Sequence, residues 1–173
     1  MNTALKIDTS KRYAFFSLTN KARCPEFAQR LVGVGVKMIS AGGTCKTIAG
    51  AGIEVVDLAD IVGGGSALGH KVLTLSREYA MMELADMLNP VEMKELFEQN
   101  LAFVDIVYCN LYDLPTAIAK AAEMPNRFAA DALVVAATDI GGPNMLRAAA
   151  KGFRAVAIRD ADMEQICTEL EKD

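Results

Sequence analysis

Three features of the chain predict an α/β fold with a mostly parallel central sheet. Short apolar runs bounded by turn residues alternate with amphipathic stretches of helical period, the pattern of a sheet covered by crossover helices. Runs such as Tyr13–Leu18 and Val104–Cys109 are apolar enough to be buried strands. Polar and glycine residues then collect just after those runs: Ser17, Thr19 and Lys21; Ser40 to Thr44; Asn110 and Tyr112; and Asp139 ahead of a Gly-Gly-Pro. In open α/β sheets ligands bind outside the carboxyl ends of the strands, so one composite site on one sheet edge is expected.

The elements follow in order. Tyr13–Leu18 reads as the first strand, and Cys24–Val32 as a helix started by Pro25. Val36–Ile39 is the second strand, Cys45–Ala49 a short helix and Ile53–Val56 a third strand. Gly63-Gly64-Gly65-Ser66 has the composition of a mobile loop, and Val72–Leu75 is expected as a short strand. Two helices follow, the second announced by Asn89-Pro90 with Glu92 in its first turn. After Val104–Cys109, Pro115–Ala122 is helical, residues 123–131 are irregular, and Leu133–Ala137 fits strand or helix. A helix opened at Pro143 and stopped by Gly152 comes next, then a strand at Ala155–Ile158 and an amphipathic helix at Asp162–Leu170.

A length of 173 residues suggests one domain with a substantial core. The net charge of −4 argues against broad binding to nucleic acid or a membrane surface. An anionic ligand must therefore be held by local cations. Four separated cysteines without a C-x-x-C pair, and a single histidine, disfavour a zinc site. The polar N-terminus lacks the apolar core of a signal peptide, and no apolar run reaches the ~18 residues of a membrane span. A cytoplasmic protein is expected.

Thr138-Asp139-Ile140-Gly141-Gly142-Pro143-Asn144-Met145-Leu146-Arg147, followed by Lys151, is the most informative run. An acid, two bare glycines and a helix start gather backbone N–H donors, and Arg147 and Lys151 lie four residues apart on one helix face. That combination suits holding a phosphorylated substrate and moving its protons. Asp139 also fits a purely structural role as a helix-start acid. Ser40-Ala41-Gly42-Gly43-Thr44 reads either as an oxyanion cradle or as a tight turn with Thr44 as N-cap. Ser17-Leu18-Thr19-Asn20-Lys21 reads either as a hydroxyl-and-lysine phosphate loop or as a polar turn. Gly33-Val34-Gly35 precedes a strand, and neither the Gly64–Lys71 nor the Ser40–Thr47 stretch completes a P-loop, so no dinucleotide or ATP motif is supported. His70 reads as a loop residue, the methionines as core filler, and Lys94, Glu95 and Glu98 as a solvated helix face.

Taken together, these loops resemble the IMP cyclohydrolase domain, the N-terminal half of the bifunctional purine biosynthesis protein that also carries AICAR formyltransferase. The family's Ser-Val-Ser-Asp-Lys-Thr loop is similar to Ser17–Ala22, and its Ser-Thr-Gly-Gly-Thr loop to Ser40–Thr44. Its Asn-Leu-Tyr-Pro motif is similar to Asn110–Asp113. Its Asp-Ile-Gly-Gly-Pro…Arg-x-Ala-Ala-Lys-Asn run resembles Asp139 through Lys151, with Gly152 in place of the asparagine. The resemblance covers about Tyr13 to Asp162. It departs where the family's Arg-Val-Lys-Thr-Leu-His meets Lys71-Val72-Leu73-Thr74-Leu75-Ser76: the lysine becomes Leu73 and the histidine Ser76. From Arg77 onward helical sequence replaces a glycine- and histidine-rich stretch, and a single domain without the formyltransferase is expected.

The resemblance implies a three-layer sandwich of the methylglyoxal-synthase-like class. It implies closure of the formamido ribonucleotide FAICAR to IMP with loss of water and no cofactor. Ser17, Thr19, Lys21, Ser40 and the backbone of Gly42, Gly43 and Thr44 would hold the 5′-phosphate. Asp139 and Lys151 would manage protons, Tyr112 with Asn110 would orient the base, and Thr74 is kept. Lys71 would reach into the space of the missing lysine, the backbone N–H groups of Ile140 and Gly141 would face a developing oxyanion, and Gly142 would lie beside them among the substrate-binding residues. A stand-alone homodimeric cyclohydrolase with a separate formyltransferase partner is one expectation. A catalytically weak purine-nucleotide-binding or regulatory domain of the same fold is the other. Methylglyoxal synthase fits poorly, since no Gly-Asp-x-Asp-Pro segment is present.

Overall fold

The computed structural model describes residues 7–65, 67, 68 and 72–172. Its centre is a five-stranded parallel sheet of β1 (Tyr13–Ser17), β2 (Lys37–Ser40), β3 (Val55–Asp57), β4 (Val104–Cys109) and β5 (Ala155–Ala157), in the order β3-β2-β1-β4-β5. The expected α/β class and three-layer arrangement hold. Strand order reverses at β1, whose neighbours are β2 and β4, and ligand sites of open α/β sheets form at the carboxyl edge beside such a switch point.

Alternation along the strands feeds two cores. Ala14, Phe16, Met38, Ile106, Tyr108 and Ala157 point to one face, where α1 (Cys24–Gly33), α2 (Gly42–Gly50) and α9 (Asp160–Leu170) cover them. Tyr13, Phe15, Ile39, Val104, Val107 and Cys109 point to the other, under α4 (Arg77–Leu84), α5 (Pro90–Glu98) and α8 (Gly141–Lys151). Val104 and Val107 share a face because β4 carries a register shift opposite Tyr13 and Ala14, which inserts Asp105. On the first face Arg30 pins α1 to α9 through Glu164 (2.6 Å) and Glu171 (2.7 Å), and the Tyr108 hydroxyl donates to Asp160.

α3 (Leu58–Ile61), α6 (Leu114–Ala122) and α7 (Arg127–Ala137) complete the helices. Three local readings change. Val72–Leu75 is not a strand: Leu73–Leu75 is a 3-10 turn, because Leu73 is drawn into the core while Ser76 caps α4 by accepting from the Tyr79 N–H at 3.3 Å. Residues 123–131 are not irregular throughout, since Asn126 caps α7 by accepting from the Ala129 N–H at 3.1 Å. That helix runs through Leu133–Ala137, which settles its alternatives. α8 starts at Gly141, two residues before Pro143. Among the described residues no helix is long and apolar enough to cross a membrane.

Candidate active site

At the carboxyl edge of the sheet a cleft of about 890 Å³ opens between the β1, β2 and β4 loops, the 3-10 turn, α7 and the start of α8. That size falls within the roughly 300–1,000 Å³ of small-molecule sites. A smaller hollow of about 330 Å³ between α4 and α5 is lined by Met81, Leu84, Leu96 and a few charged side chains, with no converging reactive groups. Polar and charged groups converge in the larger one.

One end of the cleft sets a cation beside a helix N-terminus. The Lys21 side chain passes over the α2 N-terminus, so close that a Cβ on Gly43 would lie 3.4 Å from Lys21 Cε and 3.8 Å from Nζ. Its ammonium donates to the Thr19 carbonyl at 3.3 Å, and the first-turn N–H groups of α2 have no acceptor within their own helix. Thr44 makes the junction rigid: its hydroxyl accepts from the Leu18 N–H at 3.0 Å and donates to the Leu18 carbonyl at 3.2 Å. Thr44→Val keeps the shape but orphans two buried backbone groups. We expect a loss of about 1–3 kcal/mol in urea denaturation with an unchanged m-value; an unchanged midpoint would show that the junction does not depend on this hydroxyl.

The β1 and β4 loops are laced together. Asn110 Oδ1 accepts from the Thr19 N–H at 2.6 Å and the Thr19 hydroxyl at 2.8 Å, and Asn110 Nδ2 donates to the Asn20 carbonyl at 3.4 Å. Asn110 and Thr19 therefore shape the loop that presents Lys21. Ser17 lines the cleft at the end of β1, and Tyr112 stands half exposed at its mouth.

The opposite end is the start of α8. Asp139 Oδ1 accepts from the Gly142 N–H at 2.8 Å, which fixes the carboxylate at the positive end of the helix. Two glycines let neighbouring side chains approach closely here. A Cβ on Gly142 would run into Leu111 and lie 2.7 Å from Asp139 Oδ2, and one on Gly141 would lie 2.6 Å from Thr74 Oγ1. Ile140, Gly141 and Gly142 all line the cleft, as does Thr74. Cys109 is on the floor, but burial first, then Asp139 and Glu83, pushes its thiol up to about 12. It remains a thiol at neutral pH and offers no nucleophile.

Three expected site residues do not join this arrangement. Ser40 is fully buried and its hydroxyl donates to the Phe16 carbonyl at 2.7 Å, tying β2 to β1 instead of facing a ligand. Lys151 ends α8, ten residues beyond Gly141, and a rise of ~1.5 Å per residue places it about 15 Å along the axis from that residue, outside the residues that line the cleft. Arg147 is likewise exposed along that helix, so the acid and the two cations are not gathered at one turn. Lys71 and His70 lie outside the described residues.

The sequence reading missed the apolar wall: Ala132, Val135 and Ala136 of α7 face the cleft, with Leu73 and Met145. Their helical spacing and the Pro125-Asn126 start signal were the available clues. Among the described residues no group of three or more His, Cys, Asp or Glu side chains is arranged to hold a metal.

A family model described as MGS-like domain matches residues 24–138. The bifunctional purine biosynthesis protein PurH of Neisseria meningitidis serogroup A is 37% identical over 94% of this chain and 30% of its own length. That of Ruminiclostridium cellulolyticum is 35% identical over 91% of this chain and 30% of its own. The chain thus spans under a third of these curated relatives. The crystal structure of ForH superimposes with a TM-score of 0.76 at 27% identity, covering 94% of this chain and 80% of that one.

Proposed function

The chain belongs to the MGS-like domain family, and from that premise we propose that it is an IMP cyclohydrolase, closing the purine ring of FAICAR to give IMP and water. The observation that carries this reading is one cleft with an anion seat at Lys21 and Gly43 and a fixed carboxylate, Asp139, at its other end. The similarity to PurH, a purine biosynthesis protein by name, supports the substrate class.

In this reading the 5′-phosphate sits at the α2 N-terminus under Lys21, and the heterocycle lies along the apolar wall of α7 with Tyr112 at its edge. Ring closure joins the carboxamide nitrogen to the formyl carbon, moving one N–H proton to the formyl oxygen. Loss of water then takes that hydroxyl and the proton of the former formamido nitrogen. Asp139 takes the carboxamide proton through Oδ2 and returns it to the departing oxygen, so the enzyme ends each turnover unchanged. The backbone N–H groups of Ile140 and Gly141 face the formyl oxygen as charge builds on it, since that of Gly142 is held by Asp139. Leu73, buried in the cleft wall where the resembled family has lysine, supplies no ammonium, so Asp139 bears the proton transfers.

The test is turnover of FAICAR to IMP by the purified protein, followed by absorbance. Formation of IMP supports the reading, and tight IMP binding without turnover would overturn it. Removing the anion seat separates binding from chemistry. Lys21→Ala is expected to weaken IMP binding by about tenfold or more, since hydrogen bonds to charged groups contribute roughly 1.5–3 kcal/mol. An unchanged Kd by calorimetry would place the phosphate elsewhere.

A further inference from the structure

Glu83, on α4, is fully buried, and the ring-closing chemistry makes no use of it. Its Oε1 accepts from the Tyr79 hydroxyl at 2.9 Å, and its Oε2 has no partner among the described residues. Burial drives its carboxyl up to about 8, against the opposing pull of the Tyr79 hydroxyl and the Arg154 cation.

Its surroundings place one cation, Arg154, within electrostatic reach but give Oε2 no hydrogen-bond partner among the described residues. Tyr79 packs its ring 4.5 Å from that of Phe15 on β1. From β4 comes Cys109, a buried thiol. Arg154, just before β5, directs its guanidinium to the carbonyls of Gly152 and Ala85 and stacks 3.9 Å from the Phe103 ring centre. α8 turns Met145 and Ala149 inward and leaves Arg147 and Lys151 exposed. The 3-10 turn ahead of α4 holds no ionisable group, and Glu92 and Glu95 of α5 line only the outer hollow with Arg77.

α4 is held closely at both ends of this contact. A Cβ on Gly152 would overlap the Glu83 carbonyl oxygen, and Thr74, just before α4, presses on Gly141 at the cleft. We propose that Glu83 is a proton-controlled latch: with its carboxyl neutral, α4 closes on α8, and on ionisation α4 and the 3-10 turn lift from α8 at the cleft. A buried carboxylate with an unpaired oxygen is relieved by water. α4 is the element that admits it, because its other side already faces solvent at Leu84. The latch thereby couples proton loss at Glu83 to the position of Thr74 in the candidate active site.

The sign follows from linkage. The folded carboxyl holds its proton to a higher pH than the ordinary 4.5. The closed form is therefore fully favoured below that ordinary range and loses ground steadily up to about pH 8.

Hydrogen-exchange protection of the α4 amides, corrected for intrinsic exchange, tests this between pH 6 and pH 9. The wild type is expected to lose about tenfold protection or more, and Glu83→Gln to stay flat within about twofold. Tyr79→Phe removes the hydroxyl bond that favours the carboxylate, so its transition is expected at higher pH, which a merely structural role would not produce. A carboxyl-carbon NMR titration of the wild type is expected to show Glu83 changing near pH 8, independent of how either variant folds. Flat wild-type protection, a decline reproduced in Glu83→Gln, or a Glu83 titration in the ordinary carboxylate range would each overturn the latch.

Discussion

Gly152→Ala is expected to destabilise the protein by about 3 kcal/mol, the upper part of the range for overpacked sites. Gly152 has φ −81°, so alanine meets no backbone strain there, and the cost arises from contact alone. The obstacle is the main-chain carbonyl of Glu83, which cannot rotate aside as a side chain would, so α4 and α8 must separate. For a domain of this size the thermal midpoint should fall roughly 6–12 °C. Gly50→Ala is the control: that glycine closes α2 with nothing within 4 Å of a new Cβ, and its replacement is expected to be neutral or slightly stabilising. Equal midpoints for the two variants would mean that α4 does not seat on Gly152.

Asp139→Asn is expected to lower the rate of FAICAR closure about 10²–10⁴-fold, the usual contribution of a positioned acid–base group, while IMP binds within about threefold of wild type. The asparagine carbonyl still accepts from the Gly142 N–H that Asp139 Oδ1 now holds, so the helix start survives and only proton transfer is lost. Single-turnover kinetics beside a binding isotherm make the separation. A variant that turns over like wild type would remove Asp139 from the chemistry and leave it a helix cap.

Much of this was legible because the signals were local. Buried strands such as Tyr13–Leu18 and Val104–Cys109 announce themselves by composition, and the loops after them inherit their place at the carboxyl edge from strand polarity alone. Asp139, Gly141 and Gly142 could be read as a helix-start cluster from four consecutive residues. Lys151 shows where that logic ends. Its spacing from Arg147 correctly fixed a shared helix face, but a face says nothing about depth along the axis, and the helix carries it away from the acid. Ser40 fails differently: its identity suits a ligand, yet its pairing with Phe16 across the sheet turns the hydroxyl onto a neighbouring carbonyl. The α7 wall was missed because residues 123–131 were read as irregular, although Asn126 caps a helix there.

Gly152 and the helix beginning at Arg77 are two departures from the resembled family that the sequence presents separately, 75 positions apart. Only in three dimensions do they become one contact, the bare glycine receiving the α4 backbone. The sequence by itself determined the parallel sheet, the edge on which the candidate site lies, and the residue types gathered there, since each depends on periodicity, strand direction or turn chemistry within a few residues. Tertiary structure alone decided which hydroxyls face the cleft, how far each cation stands from Asp139, and that Glu83 is sealed beneath α4, because those depend on distances between segments that no local pattern encodes.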